Sequence, residues 1–376
     1  MQACDILALI GATIWIVVLL LPWKPYFTRE SLDVLPVDED MSLSDVTVII
    51  PARNEAEVIQ ETLNALKDQG EDLNVVLVDD ESQDDTAEKA KTAGMDKLKI
   101  VQGMPLPAGW TGKLWALQQG LRFVDTPFTL LMDADISLKK GVIKTLKKKM
   151  IKEGWDMISL MAMLNMKGFW EKLLIPSFIY FFKLIYPFSL CSKKDSPVAA
   201  AAGGCIFIRT EALKKIGGFE SIKHEIIDDC ALAKRIKKAG YNIWIGLTHS
   251  VISRRSYKGL YDIWNMVART AFTQLRYSIT MLILCSIMLV ASFLFPFAGI
   301  FSRHITGISF SLVALVAMML TYIPTLNYYG IPKMWALTLP FSGILYLMMT
   351  WSSAIRYFKG QRSEWKGRIY SAHDVS

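Results

Sequence analysis

The chain has 376 residues, of which 52% are hydrophobic and 20% charged, and its formal net charge is +7 at pH 7. This length fits two domains, or one domain with membrane segments, and the uneven distribution of apolar residues favours the second. The charge indicates contact with anionic lipid or phosphate rather than nucleic acid, because no basic-aromatic array or nucleic-acid motif accompanies it.

The first segment is an apolar run from Ile6 to Leu21, which ends in the aromatic stretch Pro22–Tyr26. Its length is near the lower limit for crossing a bilayer. A basic n-region and a small-residue cleavage site are missing, so we predict an uncleaved anchor over residues 1–27. An acidic link, Asp33–Asp45, leads into a region of ordinary soluble composition.

Apolar runs and helix-start signals alternate through the next hundred residues. Strands are predicted at Val46–Ile50, Asn74–Val78, Lys97–Val101 and Phe128–Met132, and helices from Ala52 to about Gln69, from Gln83, from Gly112 and over Lys139–Glu153. Strands that alternate with helices imply βαβ units and a largely parallel sheet. Neither a G-x-G-x-x-G motif nor a P-loop is found, so the two best-known nucleotide-binding motifs are absent.

Two carboxylates, Asp133 and Asp135, follow the predicted strand Phe128–Met132. Ligands of open α/β sheets bind at the carboxyl ends of the strands. Two hard oxygen donors at that position suit Mg²⁺ or Mn²⁺ carrying a diphosphate. A solvated turn is the simpler alternative for this pair alone.

A lysine and a second acidic pair can also be interpreted either as site residues or as ordinary surface or capping residues when each is taken alone. Lys113 is predicted near a helix N-terminus, where it can meet phosphate. Asp228 and Asp229 are predicted at the start of another helix, where acids often only cap the helix. The five cysteines have no paired spacing, which argues against a disulfide framework or a zinc site.

The remaining apolar stretches are predicted to associate with the membrane. Phe169–Leu190 is interpreted as an interfacial segment, because a crossing there would separate Asp133 from Asp229. Three more stretches, Ile279–Ile300, Ile308–Tyr328 and Trp335–Tyr357, are each long enough to cross.

Six segments, in this order, resemble the motifs of the family 2 glycosyltransferases with a GT-A fold. They are Val46–Glu55, Val78–Thr86, Gly112–Gly120, Met132–Asp135, Gly203–Phe219 and Asp228–Arg235. Trp110–Lys113 and Ala268–Tyr277 resemble the hopanoid-associated branch, and Glu364–Tyr370 is similar to the tails of carotenoid-type glycosyltransferases. The resemblance implies an α/β, Rossmann-like domain with a mostly parallel sheet over residues 28–278. Residues 279–376 would then form a C-terminal transmembrane region and a basic tail.

The resemblance also implies roles for individual residues. Those expected at the nucleotide are Pro51, Ala52, Arg53, Glu55, Asp80, Lys113 and Asp133. Asp133 and Asp135 would hold Mg²⁺ or Mn²⁺, and Asp229, beside Asp228, would be the catalytic base. Further candidates for contact with the diphosphate are Arg269, Gln274 and Arg276. The sequence departs from the family at Asp228, where a Glu is usual, and at Gln274–Tyr277, which replaces the Gln-x-x-Arg-Trp signature of polymer synthesis.

The expected function is inverting, metal-dependent transfer of one sugar from a UDP-linked donor to a lipid hydroxyl, such as that of a hopanoid or another isoprenoid. A polyprenyl-phosphate glycosyltransferase is the alternative enzyme, and retention of Asp229 argues against it. A membrane scaffold or transport protein with a degenerate nucleotide-binding domain is the non-enzyme alternative.

The expected location is the inner (cell) membrane, with several crossings and a catalytic domain that faces the cytoplasm. Lys24 and Arg29 after the first apolar run agree with this orientation. Three C-terminal crossings are predicted, because each stretch exceeds ~20 residues. The charge of the tail argues the other way, since Lys359, Arg362, Lys366 and Arg368 favour the cytoplasmic side.

Overall fold

A computed structural model describes residues 2–34 and 41–371, with the backbone alone at 361–365 and 369–371. The chain divides into two compact units. The membrane unit comprises residues 1–29, 166–187 and 257–362, and the sheet unit comprises residues 30–165, 188–256 and 363–376. Part of the predicted acidic link, residues 35–40, lies outside the described residues.

The sheet unit is built on an eight-stranded sheet in the order β3-β2-β1-β4-β7-β6-β8-β5. The strands are β1 (Val46–Ala52), β2 (Asn74–Asp79), β3 (Leu98–Gln102), β4 (Phe128–Met132), β5 (Ile136–Leu138), β6 (Met157–Met163), β7 (Cys205–Arg209) and β8 (Ile243–Ser253). The neighbouring strands β3, β2, β1 and β4 are parallel, and so are β6 and β8. Strand β7 is antiparallel to both of its neighbours, β4 and β6, and β5 is antiparallel to β8. The predicted fold class, α/β with a mostly parallel sheet, is confirmed.

The helices carry labels in chain order across both units. They are α1 (Ala3–Leu20), α2 (Ile59–Lys67), α3 (Thr86–Lys91), α4 (Gly112–Leu121), α5 (Val142–Glu153), α6 (Phe169–Ile185), α7 (Phe188–Cys191), α8 (Thr210–Lys215), α9 (Asp228–Lys238), α10 (Leu260–Ala268), α11 (Ala271–Gln274), α12 (Ile279–Phe293), α13 (Phe295–Ala298), α14 (Ile305–Tyr328) and α15 (Leu339–Phe358). Short 3₁₀ helices lie at Gly218–Ile222, Gly299–Phe301 and Lys333–Thr338.

Helices cover both faces of the sheet because successive strand residues point to opposite faces. Val48 and Ile50 of β1 belong to a core with residues of α2, α3 and α5. Ile49 belongs to a second core with residues of α4, α8 and α9. Buried on both faces, β1 is apolar almost throughout, as is usual for the central strand of such a sheet.

Strand β1 continues through Pro51, which was expected to stop it. Pro51 pairs with Val78 and Ala52 with Asp79, so the strand ends only at Ala52. The helix predicted from Ala52 begins at Ile59 instead, because Arg53 to Val58 form a turn that contacts the loop after β2. That prediction was therefore wrong by about two helical turns.

The membrane unit contains four helices that are long and apolar enough to cross a bilayer. Within the described chain they are Ala3–Leu20, Ile279–Phe301, Ile305–Tyr328 and Lys333–Phe358. They match the predicted anchor and the three predicted C-terminal stretches. Trp15 Nε1 donates to the carbonyl of Ser292 at 2.7 Å, which joins α1 to α12.

Helix α6 corresponds to the predicted interfacial segment. It packs inside the membrane unit, where Tyr180 Oη and Thr321 Oγ1 lie 2.8 Å apart and Tyr346 Oη donates to the carbonyl of Leu174 at 2.7 Å. The buried ammonium of Lys183 donates to Thr325 Oγ1 at 3.0 Å and to two backbone carbonyls. Its position relative to a bilayer remains a prediction.

The predicted domain boundaries at residues 27 and 278 also remain predictions. The compact units place residues 166–187 and 257–278 with the membrane helices, and place residues 363–376 with the sheet. The tail from residue 363 is therefore grouped with the sheet unit rather than with the apolar helices that precede it.

Candidate active site

A pocket at the carboxyl ends of β1 and β4 gathers several of the predicted site residues. Its polar side chains are Lys113, Asp133, Asp228 and Asp229, and Pro51 and Gly203 contribute to its wall. The pocket forms because β1 and β4 are parallel neighbours and α4 and α9 begin beside their ends. Lys113, Asp133 and the pair Asp228–Asp229, which are far apart in sequence, thereby become neighbours.

Lys113 connects the two predicted acidic pairs. Its Nζ lies 2.9 Å from Asp133 Oδ1 and 3.1 Å from Asp228 Oδ2. Burial acts to lower the pKa of Lys113, but the charges of Asp133 and Asp228 outweigh it and raise that pKa above its ordinary value. Lys113 is therefore a permanent cation that faces the pocket.

Asp229 is a carboxyl group suited to accept a proton. Burial and the neighbouring charge of Asp228 raise the pKa of Asp229 to about 6. Its Oδ1 accepts a hydrogen bond from the Cys230 amide at 2.7 Å. A carboxylate with a pKa close to neutral is an effective general base, because it is ionised near pH 7 and still basic enough to remove a proton.

Gly203 allows the backbone to approach Lys113 and Asp229 closely. A Cβ at this position would lie 3.2 Å from Lys113 Nζ and 3.4 Å from Asp229 Oδ2. A side chain would therefore enter the space between the cation and the candidate base. This provides a steric reason for a glycine directly after the alanine run Ala199–Ala202.

Asp133 and Asp135 were predicted to bind a divalent metal, and their surroundings fit this role. Burial raises the pKa of Asp133 despite the opposing charge of Lys113, and the charge of Asp135 raises it further. Asp135 Oδ2 lies 3.2 Å from Ser253 Oγ and 3.3 Å from Arg255 Nε. Two close carboxylates suit a divalent cation, which would relieve the repulsion between them.

Within residues 2–34 and 41–371, no cluster of three or more His, Cys, Asp or Glu side chains is arranged to hold a metal. Mg²⁺ is commonly held by one or two carboxylates together with substrate phosphates and water. The donor set therefore fits a metal that arrives with a diphosphate rather than one held by the protein alone.

The loops after β1 and β2 contact each other at the predicted nucleoside site. Arg53 Nη1 donates to the carbonyls of Asp80 at 2.5 Å and Glu81 at 3.1 Å. The Asn54 amide donates to the hydroxyl of Ser82 in the loop after β2, and the Glu55 amide donates to the hydroxyl of Thr86 at the start of α3. Asn54 and Glu81 have positive φ angles of 51° and 54°, uncommon for residues with side chains, so these contacts hold a specific loop conformation.

Two carboxylates at these loops, the buried Asp80 and the partly exposed Glu55, each contact a cation from the C-terminal tail. Burial raises the pKa of Glu55, opposed by Lys366, and burial raises the pKa of Asp80, opposed by Arg368. Lys366 Nζ lies 2.9 Å from Glu55 Oε2, and Arg368 Nη1 lies 2.6 Å from Asp80 Oδ2. The tail thus contacts the site directly.

The predicted site residues fall into two groups. Those in the sheet unit come together around the ends of β1, β2 and β4: Pro51, Ala52, Arg53, Glu55, Asp80, Lys113, Asp133, Asp135, Asp228 and Asp229. Arg269, Gln274 and Arg276 belong to the membrane unit, where Gln274 donates to Tyr186 Oη. Their contact with a diphosphate remains a prediction.

Sequence reasoning did not assign site roles to Arg255, Lys366 and Arg368. The charge of the tail was considered only for the side of the membrane on which the tail lies. The similarity of Glu364–Tyr370 to the tails of carotenoid-type enzymes was the available signal for Lys366 and Arg368. It did not identify Glu55 and Asp80 as their partners.

Comparison with known proteins relates part of this chain to glycosyltransferases. Residues 47–217 match the model of the glycosyl transferase family 2. A curated relative, the 4,4'-diaponeurosporenoate glycosyltransferase of Staphylococcus aureus strain USA300, is 33% identical over 102 residues. That match covers 27% of each chain, so the similarity extends over well under half of the curated relative.

The fold is shared with a solved mannosyltransferase, and a second solved structure aligns less closely. A mannosyltransferase from Pyrobaculum calidifontis, in complex with GDP-mannose and Mn²⁺, aligns with a TM-score of 0.55 at 17% identity, over 91% of this chain and 99% of its own. The glucosyl-3-phosphoglycerate synthase of Mycobacterium tuberculosis aligns at a TM-score of 0.43 and 14% identity, over 66% of this chain and 86% of its own.

Proposed function

We propose that this chain is a glycosyltransferase with a family 2 catalytic domain, and that it transfers one sugar, with inversion, from a UDP-linked donor to a hydroxyl group of a membrane lipid. The match of residues 47–217 to the family model argues against the membrane scaffold or transport alternative. The proposed location is the cell membrane, with several crossings and the catalytic domain on the cytoplasmic side.

The observation that carries the proposal is the position of Asp229. It lies in one pocket with Lys113 and with Asp133, the candidate metal ligand. Transfer to a hydroxyl group requires removal of a proton, whereas transfer to an ionised phosphate does not. A base with a raised pKa therefore favours a hydroxyl acceptor.

The proposed reaction is a single in-line displacement. Asp229 takes the proton of the acceptor hydroxyl as its oxygen attacks the anomeric carbon. The bond between that carbon and the diphosphate oxygen breaks, and the nucleoside diphosphate leaves with the electron pair. Lys113 stabilises the negative charge that develops on the diphosphate. Attack opposite the leaving group inverts the configuration of the anomeric carbon.

Asp133 and Asp135 are proposed to hold Mg²⁺ or Mn²⁺ with the donor diphosphate. When bound, the metal would supply positive charge that stabilises the departing diphosphate. The P. calidifontis mannosyltransferase, which shares the fold, was solved with GDP-mannose and Mn²⁺. Pro51, Ala52, Arg53, Glu55 and Asp80 are proposed to line the nucleoside.

A lipid acceptor is supported by the membrane unit and by the curated relative. The described part of the chain contributes four candidate membrane helices, and the relative is named a 4,4'-diaponeurosporenoate glycosyltransferase. We propose an isoprenoid lipid such as a hopanoid. Comparison of lipid extracts from cells with and without the gene, by mass spectrometry, tests this. A gene-dependent lipid that is heavier by one sugar supports it, whereas identical extracts contradict it.

The rate should depend on pH through Asp229. Only the ionised carboxylate accepts a proton, so kcat/KM should rise with pH and level off above about 6. Below that value it should fall roughly tenfold per pH unit, because the protonated fraction grows. If the base were an aspartate with an ordinary pKa, this fall in rate, the acid limb of the profile, would begin near pH 4 instead.

The matched variant for this profile is Asp228→Asn. Asp228 is one cause of the raised pKa of Asp229, so removal of its charge should move the acid limb to lower pH. A wild-type rate that is constant between about pH 5 and pH 7 would exclude Asp229 as the base.

A further inference from the structure

The C-terminal hairpin brings two cations to the acidic loops at the ends of β1 and β2. It consists of β9 (Gln361–Trp365) and β10 (Arg368–Ser371). Lys366 Nζ lies 2.9 Å from Glu55 Oε2 and 3.3 Å from the carbonyl of Asn54. Arg368 pairs with Asp80 at 2.6 Å and also with Glu81.

The hairpin turn holds both cations in place. Its two loop residues, Lys366 and Gly367, have φ angles of 48° and 83°. Positive φ at both central positions is the signature of a type I′ turn, the turn that best fits the twist of a two-residue hairpin. The carbonyl of Lys366 also accepts a hydrogen bond from Arg53 Nε at 3.2 Å. The turn is thus attached to the site by its backbone as well as by its side chains.

The positive charge of the hairpin favours a role for it in binding a nucleoside diphosphate rather than in excluding one. Glu55, Asp80 and Glu81 would together repel an anionic ligand. Lys366 and Arg368 offset most of this negative charge, and both are only partly exposed, with 27% and 14% of their side chains accessible. A segment that competed with the donor would instead be expected to carry negative charge, like the diphosphate.

Asp80 keeps one oxygen available. Its Oδ2 is paired with Arg368, whereas its buried Oδ1 has no hydrogen-bond partner among the described residues. A buried carboxylate oxygen without a donor is costly, by about 1–3 kcal/mol. The N–H group of a nucleobase, or a ribose hydroxyl, is a donor that would satisfy it.

We propose that the turn Lys366–Arg368 is part of the donor site, with Arg368 as the positioning residue for Asp80 and Lys366 for Glu55. The ligand class is a nucleoside diphosphate, so the inference rests on the proposed function. Arg368 fixes one oxygen of Asp80 and leaves the other for the nucleoside.

This position of the tail also determines which side of the membrane it occupies. The chain leaves the sheet unit before residue 257 and returns to it at residue 363. Both ends of the intervening segment are therefore on the same side, and the number of crossings between them is even. We infer that at most two of the three C-terminal candidate spans cross, in contrast to the three crossings that their lengths predict. The basic charge of the tail agrees with this result.

Binding of UDP in the presence of Mn²⁺ by the purified full-length protein, measured by calorimetry, tests the donor-site role. Arg368→Ala should raise the dissociation constant about tenfold or more, because a charge-assisted pair is lost. Arg368→Lys should restore part of the affinity, since it keeps the charge but not the planar fork. Lys148→Ala, which removes an exposed lysine from α5, should bind UDP like the wild type.

The outcomes separate the inference from the proposed function. If the wild type does not bind UDP, both fail. If it binds UDP and Arg368→Ala binds equally well or more tightly, the inference alone is overturned. Should Arg368→Ala not fold, Lys366→Ala provides the same comparison. With the donor site intact in other respects, Arg368→Ala should raise the donor KM more than it lowers kcat.

A cysteine at Ser371, in a background without the native cysteines, tests the side of the tail independently. It should resist an impermeant maleimide in intact spheroplasts and react after lysis. Labelling of the intact cells would place the tail outside and overturn the inference.

Discussion

Replacement of Asp229 by Asn is expected to lower kcat by a factor of order 10²–10⁴ while the affinity for UDP stays unchanged. The amide cannot take the proton of the acceptor hydroxyl, whereas the donor is held by other groups of the site. Initial rates with saturating donor and acceptor, together with calorimetric binding of UDP and Mn²⁺, provide both quantities.

Asp125→Asn is the matched control for this substitution, because it makes the same chemical change at an exposed residue of the sheet unit. It should retain wild-type kcat. A parallel loss of UDP affinity and rate in Asp229→Asn would show that Asp229 contributes to donor binding and is not the base.

Replacement of Asp135 by Ala is expected to reduce turnover by about 10²–10³-fold. A catalytic metal contributes several kcal/mol of charge stabilisation, which corresponds to that range. The variant should also bind Mn²⁺ more weakly in the presence of UDP, which electron paramagnetic resonance measures without reference to turnover.

The substitution also removes the contacts of Asp135 with Ser253 and Arg255. Asp135→Asn separates the two effects, because its side-chain oxygen can still accept hydrogen bonds but carries no charge. Weak Mn²⁺ binding in both variants supports a ligand role. Full activity of Asp135→Ala in excess EDTA would contradict it.

Much of the fold could be predicted because it depends on local patterns. Continuous apolar runs identified β1, β2 and β4, and the long apolar stretches identified the candidate membrane helices. The turn that follows β1 at the site could not be predicted from such local patterns. Pro51 remains in β1 and Arg53 begins a turn rather than a helix, because hydrogen bonds to the loop after β2 override the local helix signal.

The acidic half of the site was predictable for a related reason. Asp80, Asp133 and Asp229 each follow a strand or begin a helix, and topology alone brings such positions together. The cations Lys366 and Arg368 come from the opposite end of the chain. Their pairing with Glu55 and Asp80 depends on the path of the tail back to the sheet unit, which local sequence does not encode.

Analysis of the product of the purified enzyme tests the central claim most directly. The protein is incubated with a UDP-sugar, Mn²⁺ and the lipid extract of cells that lack the gene, and the product is isolated for mass spectrometry and nuclear magnetic resonance. We predict a lipid that carries one added sugar on a hydroxyl oxygen, with the anomeric configuration opposite to that of the donor. A sugar joined through a phosphate, or one that keeps the configuration of the donor, would contradict the assignment of Asp229 as the base of an inverting transfer to a hydroxyl group.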